Sequence, residues 1–357
     1  GHSLVDPSLT LPGSILVWRA ILHMLGAIAF VTMALSVFAA LNLGGPGIHR
    51  TRFFTIPEGN FFDACFRGLR AVSVFVFVGV VIVGFLLLMG GVAPRDALAV
   101  SVSVLTTGLV NPELSVQPVP GLTPVLGTVI ILGLCAGTLG LVFIDTLARG
   151  KVRNALFDAE TISFTGLFII VALFAFMAGL PLWNAAGWSL SSISTSGLQL
   201  ADPERLSRLP LVLTLFPVLI GGAALSTAGG IKLSRMILLV RRVGGEFNQL
   251  GYRKSIHRFK FRGIAQTEES LIGVWVYLVG YIMACVAGIL VLSVLDQSFD
   301  SAVLISIGSL ANAGHLLQGE MTGSSPMVIL ATLTGMILGR LEVIALLPAL
   351  NPYFWRS

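Results

Sequence analysis

Long runs of apolar residues are the feature that most constrains how this chain of 357 residues can fold. The runs at 74–89, 125–144 and 162–177 approach or reach the roughly 20 residues that a helix needs to cross the hydrocarbon core of a bilayer. Only 11% of the residues are charged, whereas soluble globular chains carry roughly 25%. Because so few charges cannot cover a hydrated surface, the sequence predicts an all-α, polytopic membrane protein.

Seven full spans are predicted, with three shorter apolar segments between some of them. These segments are too short to cross a bilayer and too apolar for ordinary loops, which favours re-entrant elements. Non-helical backbone is tolerated at membrane depth only where it lines a water-filled cavity or is buried in protein. The predicted spans are 16–43, 70–92, 120–146, 160–182, 209–240, 270–295 and 326–350, and the short segments are 96–106, 185–195 and 300–312.

The order of a span, a short apolar helix, a small-residue stretch and another span occurs three times. The chain also opens on what resembles the last span of a fourth copy, so a repeat of helix, re-entrant loop and helix is the predicted architecture. The predicted units are 1–69 (the end of the first repeat), 70–159 (the second), 160–269 (the third, with a broken second helix and a basic cytoplasmic loop) and 270–357 (the fourth).

Lysine and arginine concentrate on alternate connections. The connections 44–69, 147–159 and 241–269 are basic, whereas the connections that contain the short segments are mostly acidic. By the positive-inside rule the basic loops are cytoplasmic, and the re-entrant segments enter from outside. An acidic outer mouth would concentrate cations, although solvated loop residues explain this acidity equally well.

Each short segment ends in small residues and one glycine, at 103–109, 192–198 and 309–315. In an ion filter, successive carbonyl oxygens face one axis and replace the hydration shell of the ion. Alternating carbonyl directions require a residue that accepts a positive φ, and glycine does so without steric cost. One such stretch is common in loops, but three at equivalent positions of a repeat favour a cation pore.

Small and glycine residues at 223–230 interrupt the predicted span 209–240 and weaken its helix. Broken helices mark binding or gating sites in transporters. Close helix packing by small residues remains an alternative. A phosphate-binding loop is excluded, because Gly230 is followed by Ile231 and not by lysine.

Arg340 lies about midway along the last predicted span, where a charge costs at least roughly 2.5 kcal/mol to insert and faces a cavity or a partner. We expect it beneath the filter, beside residues 223–230. A structural salt bridge with Glu342 or another acidic residue is the alternative, although residues two apart on a helix, such as Arg340 and Glu342, do not face each other. Lys232 and Arg235 are predicted to extend to the membrane interface.

Three stretches carry a resemblance to a known family. GGAALSTAGGIKLSR at 221–235 resembles the glycine-rich broken helix of the Trk/Ktr/HKT superfamily of potassium transporters. GRLE at 339–342, followed by PYFWR at 352–356, resembles the closing signature of the Trk subunit. LPGSILVWR at 11–19 resembles the stretch that follows the first filter. The resemblance covers nearly the whole chain.

The resemblance implies four M1–P–M2 units with pseudo-fourfold symmetry around one pore. Gly1 falls where the first filter glycine is expected, so the earlier part of that unit would precede it; a vector-derived Gly1-His2-Ser3 is the alternative. The implied filter residues are Gly1, Thr106, Thr107, Gly108, Thr195, Ser196, Gly197, Asn312, Ala313 and Gly314. The implied gate residues are Ala223, Ala224, Leu225, Ser226, Thr227, Ala228, Gly229, Gly230 and Arg340.

The resemblance also implies what the protein transports and what it binds. Potassium is the expected transported ion, held at the filter residues, with no covalently bound cofactor. A multi-pass homodimer of the plasma (inner) membrane, docked to a cytosolic nucleotide-binding ring of the RCK/KTN type, is the expected assembly. Neither enzyme activity nor a nucleic-acid partner is expected. A cation-coupled secondary transporter with its substrate site at the broken helix is the alternative.

Overall fold

The computed structural model describes residues 10–35, 61–115, 117, 123–200, 209–251, 260–261, 264–265, 268–317, 320–321 and 323–340. Within these ranges the fold is helical, which confirms the predicted class, apart from one antiparallel pair of strands, β1 (Lys260–Phe261) and β2 (Ile264–Ala265). The helices are α1 (Gly13–Met33), α2 (Phe61–Met89), α3 (Pro94–Thr106), α4 (Pro124–Ala148), α5 (Val152–Leu156), α6 (Ala159–Met177), α7 (Leu182–Ile193), α8 (Leu211–Ile220), α9 (Leu233–Gly251), α10 (Glu268–Val294), α11 (Phe299–Leu310) and α12 (Pro326–Arg340), with 3₁₀ turns at Pro112–Ser115 and Gly314–Leu317.

Among the described helices, α1, α2, α4, α6 and α10 are long and apolar enough to cross a membrane. Their outer faces carry large exposed apolar side chains, such as Phe77 and Phe85 on α2 and Phe174 on α6. In water such faces would drive aggregation, whereas in a bilayer they contact lipid tails. The helices α8, α11 and α12 are apolar but shorter.

Three short helices, α3, α7 and α11, each pack between two neighbouring helices. The helix α3 packs against α2 and α4, α7 against α6 and α8, and α11 against α10 and α12. Small residues on the longer helices allow this close approach. A Cβ atom at Gly137 of α4, for example, would lie 2.6 Å from the carbonyl oxygen of Val104 near the end of α3.

The predicted span 209–240 consists of two helices, because the backbone between α8 and α9 is not helical from Gly221 to Lys232. This segment, here termed the central loop (residues 221–232), is wider than the predicted interruption at 223–230. The helix α9 also continues to Gly251, so part of the predicted connection 241–269 is helical. The predicted connection 147–159 likewise contains α5.

The helix α4 has a kink at Gly140 that was not predicted from the sequence. This residue has φ +70° and ψ −163°, which nearly matches Gly221 at the end of α8, with φ +71° and ψ −159°. A Cβ atom at Gly140 would overlap the carbonyl oxygen of Leu225, and the N–H of Leu141 donates to that oxygen over 3.4 Å. The kink therefore makes room for the central loop.

Candidate functional site

The chain leaves each of the three short helices with the same backbone geometry. One residue just beyond the end of each helix has a left-handed φ. The N–H of the residue that follows it donates to the carbonyl oxygen five positions before that N–H. The left-handed residues are Thr107 (φ +50°), Thr195 (φ +58°) and Asn312 (φ +54°). The hydrogen bonds run from Gly108 to Ser103 (3.2 Å), from Ser196 to Ser191 (3.1 Å) and from Ala313 to Gly308 (2.8 Å).

This shared geometry sets the register of the three candidate filter segments. Thr195 and Asn312 are the first residues of their predicted triplets, whereas their equivalent Thr107 is the second residue of the triplet 106–108. Glycine was expected to supply the positive φ, and Gly197 does, at +70°, but Gly314 instead opens a 3₁₀ turn. In each of the three segments, a threonine or asparagine has a positive φ.

A positive φ is unusual for threonine, since its branched Cβ crowds the backbone. Such strain costs on the order of 1–3 kcal/mol per residue and concentrates at functional sites. Thr107 and Thr195 are fully buried, and Asn312 is held by a bond from its Nδ2 to the carbonyl oxygen of Met336 over 3.1 Å. The strained positions therefore mark these helix ends as a candidate site.

The central loop contacts the carboxyl ends of all three short helices. Thr227 Oγ1 donates to the carbonyl oxygen of Leu105 in α3 over 3.0 Å. The N–H of Gly229 donates to Thr195 Oγ1, just after α7, over 3.1 Å. A Cβ atom at Gly229 would overlap the carbonyl oxygen of Ala311, at the end of α11. The structure thus brings the predicted gate residues against the predicted filter segments.

Arg340 lies beside this loop, at the end of α12. One of its guanidinium nitrogens donates to the carbonyl oxygen of Thr227 over 2.8 Å. The guanidinium carbon lies 4.8 Å from the centre of the Phe30 ring of α1, in cation–π geometry. Glu342, its alternative partner, lies outside the described residues.

Lys232 also holds the loop, which the sequence analysis missed. Its side chain is 4% exposed, and Nζ donates to the carbonyl oxygens of Ser226 (3.2 Å) and Ala228. The same Phe30 ring lies 5.4 Å from Nζ. Arg235 is equally buried, with its guanidinium 4.0 Å from the Tyr277 ring. The predicted extension of both cations to the interface is therefore wrong, because loop carbonyls without helical partners attract them instead.

Glu160 is a second contact that the sequence analysis missed. It lies in the first turn of α6, is 4% exposed, and accepts a hydrogen bond at Oε1 from the N–H of Ala224 over 3.2 Å. Asp158 caps the same helix by accepting from the N–H of Glu160 over 3.2 Å. Acidic residues are common in first helical turns, so nothing in the sequence distinguished Glu160 as a support of the central loop.

We expect the substitution Glu160→Gln to destabilise the protein by about 1–3 kcal/mol, because it weakens a buried bond to a charged acceptor. The midpoint of thermal denaturation in detergent measures this. The matched control is Glu246→Gln, which removes a half-exposed carboxylate paired with Arg242 at 2.7 Å and should change stability by at most about 0.5 kcal/mol. Equal midpoints for the two variants would contradict the support role.

Further contacts join the candidate filter segments to their neighbours. Arg19 of α1 donates from Nε to the carbonyl oxygen of Val110 (2.7 Å) and from its guanidinium to Leu109 (3.2 Å). His315 packs so closely on Gly197 that its Cγ would lie 2.6 Å from an added Cβ atom. The sequence analysis gave neither Arg19 nor His315 a role. Gly1, predicted to belong to the first filter, lies outside the described residues.

The fold is similar to that of a membrane transport protein of known structure. The chain superposes on the crystal structure of the potassium transporter TrkH from Vibrio parahaemolyticus with a TM-score of 0.80 and 22% identity. The match covers 100% of this chain and 76% of the other.

The TrkH family model, described as a cation transport protein, matches residues 183–350. The chain is 25% identical to the Trk system potassium uptake protein TrkH of V. parahaemolyticus, over 97% of this chain and 75% of the relative. It is 23% identical to the protein of the same name from Escherichia coli K12, over 98% of this chain and 75% of that relative. These findings confirm the resemblance to Trk-type potassium transporters.

Proposed function

We propose that the protein takes up potassium passively through a pore formed by four M1–P–M2 units with pseudo-fourfold symmetry. The names of its relatives and the TrkH fold support transport of a cation, and of potassium in particular. The proposed units keep the predicted boundaries, with the end of the first unit at 1–69 and complete units at 70–159, 160–269 and 270–357.

One observation carries this proposal. The carboxyl ends of α3, α7 and α11 converge on a single loop inside the protein, the central loop. Helix carboxyl ends are negative because their last carbonyl groups lack helical partners, so three buried ends around one point favour a cation. A site for an anionic or apolar substrate would not gather such ends.

The potassium ions would bind to backbone carbonyl oxygens of the predicted filter residues. In the shared register the segments run 107–109, 195–197 and 312–314, which retains every predicted residue except Thr106. The strained φ at the first position of each segment supports a filter, since it turns successive carbonyl groups to different directions. Gly1 remains the proposed contribution of the first unit.

Residues 223–230 and Arg340 would form the gate beneath the filter. The central loop already touches the three helix ends, and the cations of Lys232 and Arg340 bind its carbonyl oxygens. A permeating ion would meet both the loop backbone and two positive charges. The gate would open when the loop withdraws from the helix ends.

The proposed assembly is a homodimer in the inner membrane, with the basic connections in the cytoplasm. A nucleotide-binding ring of the RCK/KTN type would dock on the cytoplasmic face, where residues 241–269 offer several basic side chains. The relatives are named as potassium uptake proteins of a Trk system, which supports an assembly with further components. No covalently bound cofactor takes part in the proposed function.

Rubidium uptake into liposomes that contain the purified protein tests the function. We expect uptake that follows the potassium gradient, is absent from protein-free liposomes, and is competed by external potassium more strongly than by sodium. Uptake that required a second ion gradient would instead support the secondary transporter. Uptake no faster than in empty liposomes would refute both.

A further inference from the structure

A deep apolar groove runs along the outer side of the second unit, between α2 and α4. Its volume is about 830 Å³, and its walls are almost entirely apolar. The floor is Leu105, the residue of α3 whose carbonyl oxygen accepts the bond from Thr227 of the central loop. At membrane depth, apolar walls offer water no hydrogen-bond partners, so an apolar group fills this space.

One end of the groove is basic. Arg67 and Arg70, one turn apart on α2, line it with exposed side chains. Asp145 of α4 lies at the same end, but it is paired with Arg149 at 2.6 Å. The two arginines therefore give this end a positive charge, and the positive-inside rule assigns it to the cytoplasmic side.

The distance from the basic end of the groove to its floor matches the thickness of the hydrocarbon region of one leaflet. Leu105 packs against Gly79 of α2, where an added Cβ atom would lie 2.8 Å from Leu105 Cδ1. At 1.5 Å per residue, Gly79 lies about 14 Å from Arg70 and about 18 Å from Arg67 along the helix. Half of a hydrocarbon core of roughly 30 Å is about 15 Å.

A second groove, between α10 and α12 in the fourth unit, extends from the level of Leu310 toward the end of α10 that precedes α11. Its volume is about 500 Å³, and its floor includes Leu310, the equivalent of Leu105 in the shared register. None of the described residues that line it is charged. The two grooves therefore share a floor position but extend toward opposite ends of the first helix of each unit, and only the groove between α2 and α4 has a basic end.

We propose that the groove between α2 and α4 binds one anionic phospholipid. Its phosphate lies on Arg67 and Arg70, and one acyl chain follows the apolar wall to Leu105. Anionic lipids concentrate in the cytoplasmic leaflet, and basic pockets between membrane helices bind their headgroups. The chain end then contacts the residue that joins a candidate filter segment to the central loop. The groove between α10 and α12, whose described lining residues carry no charge, would accept acyl chains without selecting a headgroup.

Lipid binding to the purified, delipidated protein tests this site independently of transport. Native mass spectrometry would follow titration with phosphatidylglycerol and, separately, with phosphatidylcholine. We expect one phosphatidylglycerol per chain to bind preferentially, and the double variant Arg67→Gln/Arg70→Gln to lose about thirtyfold in affinity. The matched control, Lys151→Gln/Arg153→Gln, removes two exposed cations outside the groove and should retain the preference.

A bulky substitution in the groove distinguishes lipid binding at this site from a general attraction of anionic lipids to basic residues. Ala136 lines the groove between α2 and α4, and Ala287 lines the groove between α10 and α12. Ala136→Phe should abolish the preferential binding, whereas Ala287→Phe should leave it unchanged.

Three results would overturn the proposal: equal retention of both lipids by the unmodified protein, unchanged affinity in the arginine variant, or loss of dimers in Ala136→Phe with lipid retained. The last result would assign the groove to a second copy of the chain. Binding is measured without ion flow, so its failure leaves the proposed transport function intact.

Discussion

Replacing Arg340 by alanine is expected to raise rubidium uptake about tenfold to hundredfold when no regulatory partner is present. The guanidinium holds the carbonyl oxygen of Thr227 at 2.8 Å and stacks on Phe30. A buried hydrogen bond from a charged donor contributes about 1.5–3 kcal/mol, and each 1.4 kcal/mol is about tenfold in an equilibrium. In the proposed gate, loss of this bond would shift the central loop toward its withdrawn state and would remove a positive charge from the ion path.

Two control variants separate gating from general damage. Arg340→Lys keeps the charge and a donor, so its uptake should lie between those of the wild type and the alanine variant. Arg149→Ala removes a half-exposed arginine that pairs with Asp145, and its uptake should equal that of the wild type. If Arg340→Ala folds normally and its uptake is unchanged, the gate assignment fails.

Replacing Gly197 by serine is expected to lower rubidium uptake at least about tenfold and to weaken the preference for potassium over sodium. The residue has φ +70°, and a Cβ atom there would overlap His315 of the next candidate filter segment. A side chain at this φ costs roughly 1–2 kcal/mol, and overpacking costs about 1–3 kcal/mol more. The two segments must move apart, which disturbs the carbonyl oxygens that would coordinate the ion.

The chain offers a close control for the backbone part of this cost. Gly150, in the turn after α4, has φ +71° and no atom within 4 Å of an added Cβ. Gly150→Ser therefore introduces the same strain without the clash. We expect it to lower stability slightly and to leave selectivity unchanged. Equal uptake and selectivity in both variants would show that Gly197 does not belong to a filter.

The sequence predicted those parts of the fold that depend on local patterns. Apolar length identified the long helices, and the three short apolar segments correspond to α3, α7 and α11 within a few residues. The glycine-rich stretch correctly predicted an interruption of the span 209–240, because glycine weakens helices wherever it occurs. The same glycine-rich stretch contains the residues of the central loop that contact the three helix ends.

The remaining features depend on contacts between distant parts of the chain. The kink at Gly140 exists because Leu225 of the central loop approaches it, and Glu160 supports Ala224 across 64 residues. Lys232 turns inward because the central loop offers carbonyl oxygens that no pattern around the lysine reveals. The one-residue shift of Thr107 follows from where α3 ends, and helix ends are the least certain part of a sequence pattern.

The inward position of Lys232 has an electrical consequence. Its ammonium group is bonded to the central loop. In the proposed gate, a withdrawal of the loop toward the cytoplasm would therefore carry a positive charge along the membrane normal. Moving one charge through the full potential involves about 2.3 kcal/mol per 100 mV. A loop that crosses even a fifth of the membrane field would then shift its equilibrium by about 0.5 kcal/mol per 100 mV. Opening is therefore expected to depend on the membrane voltage.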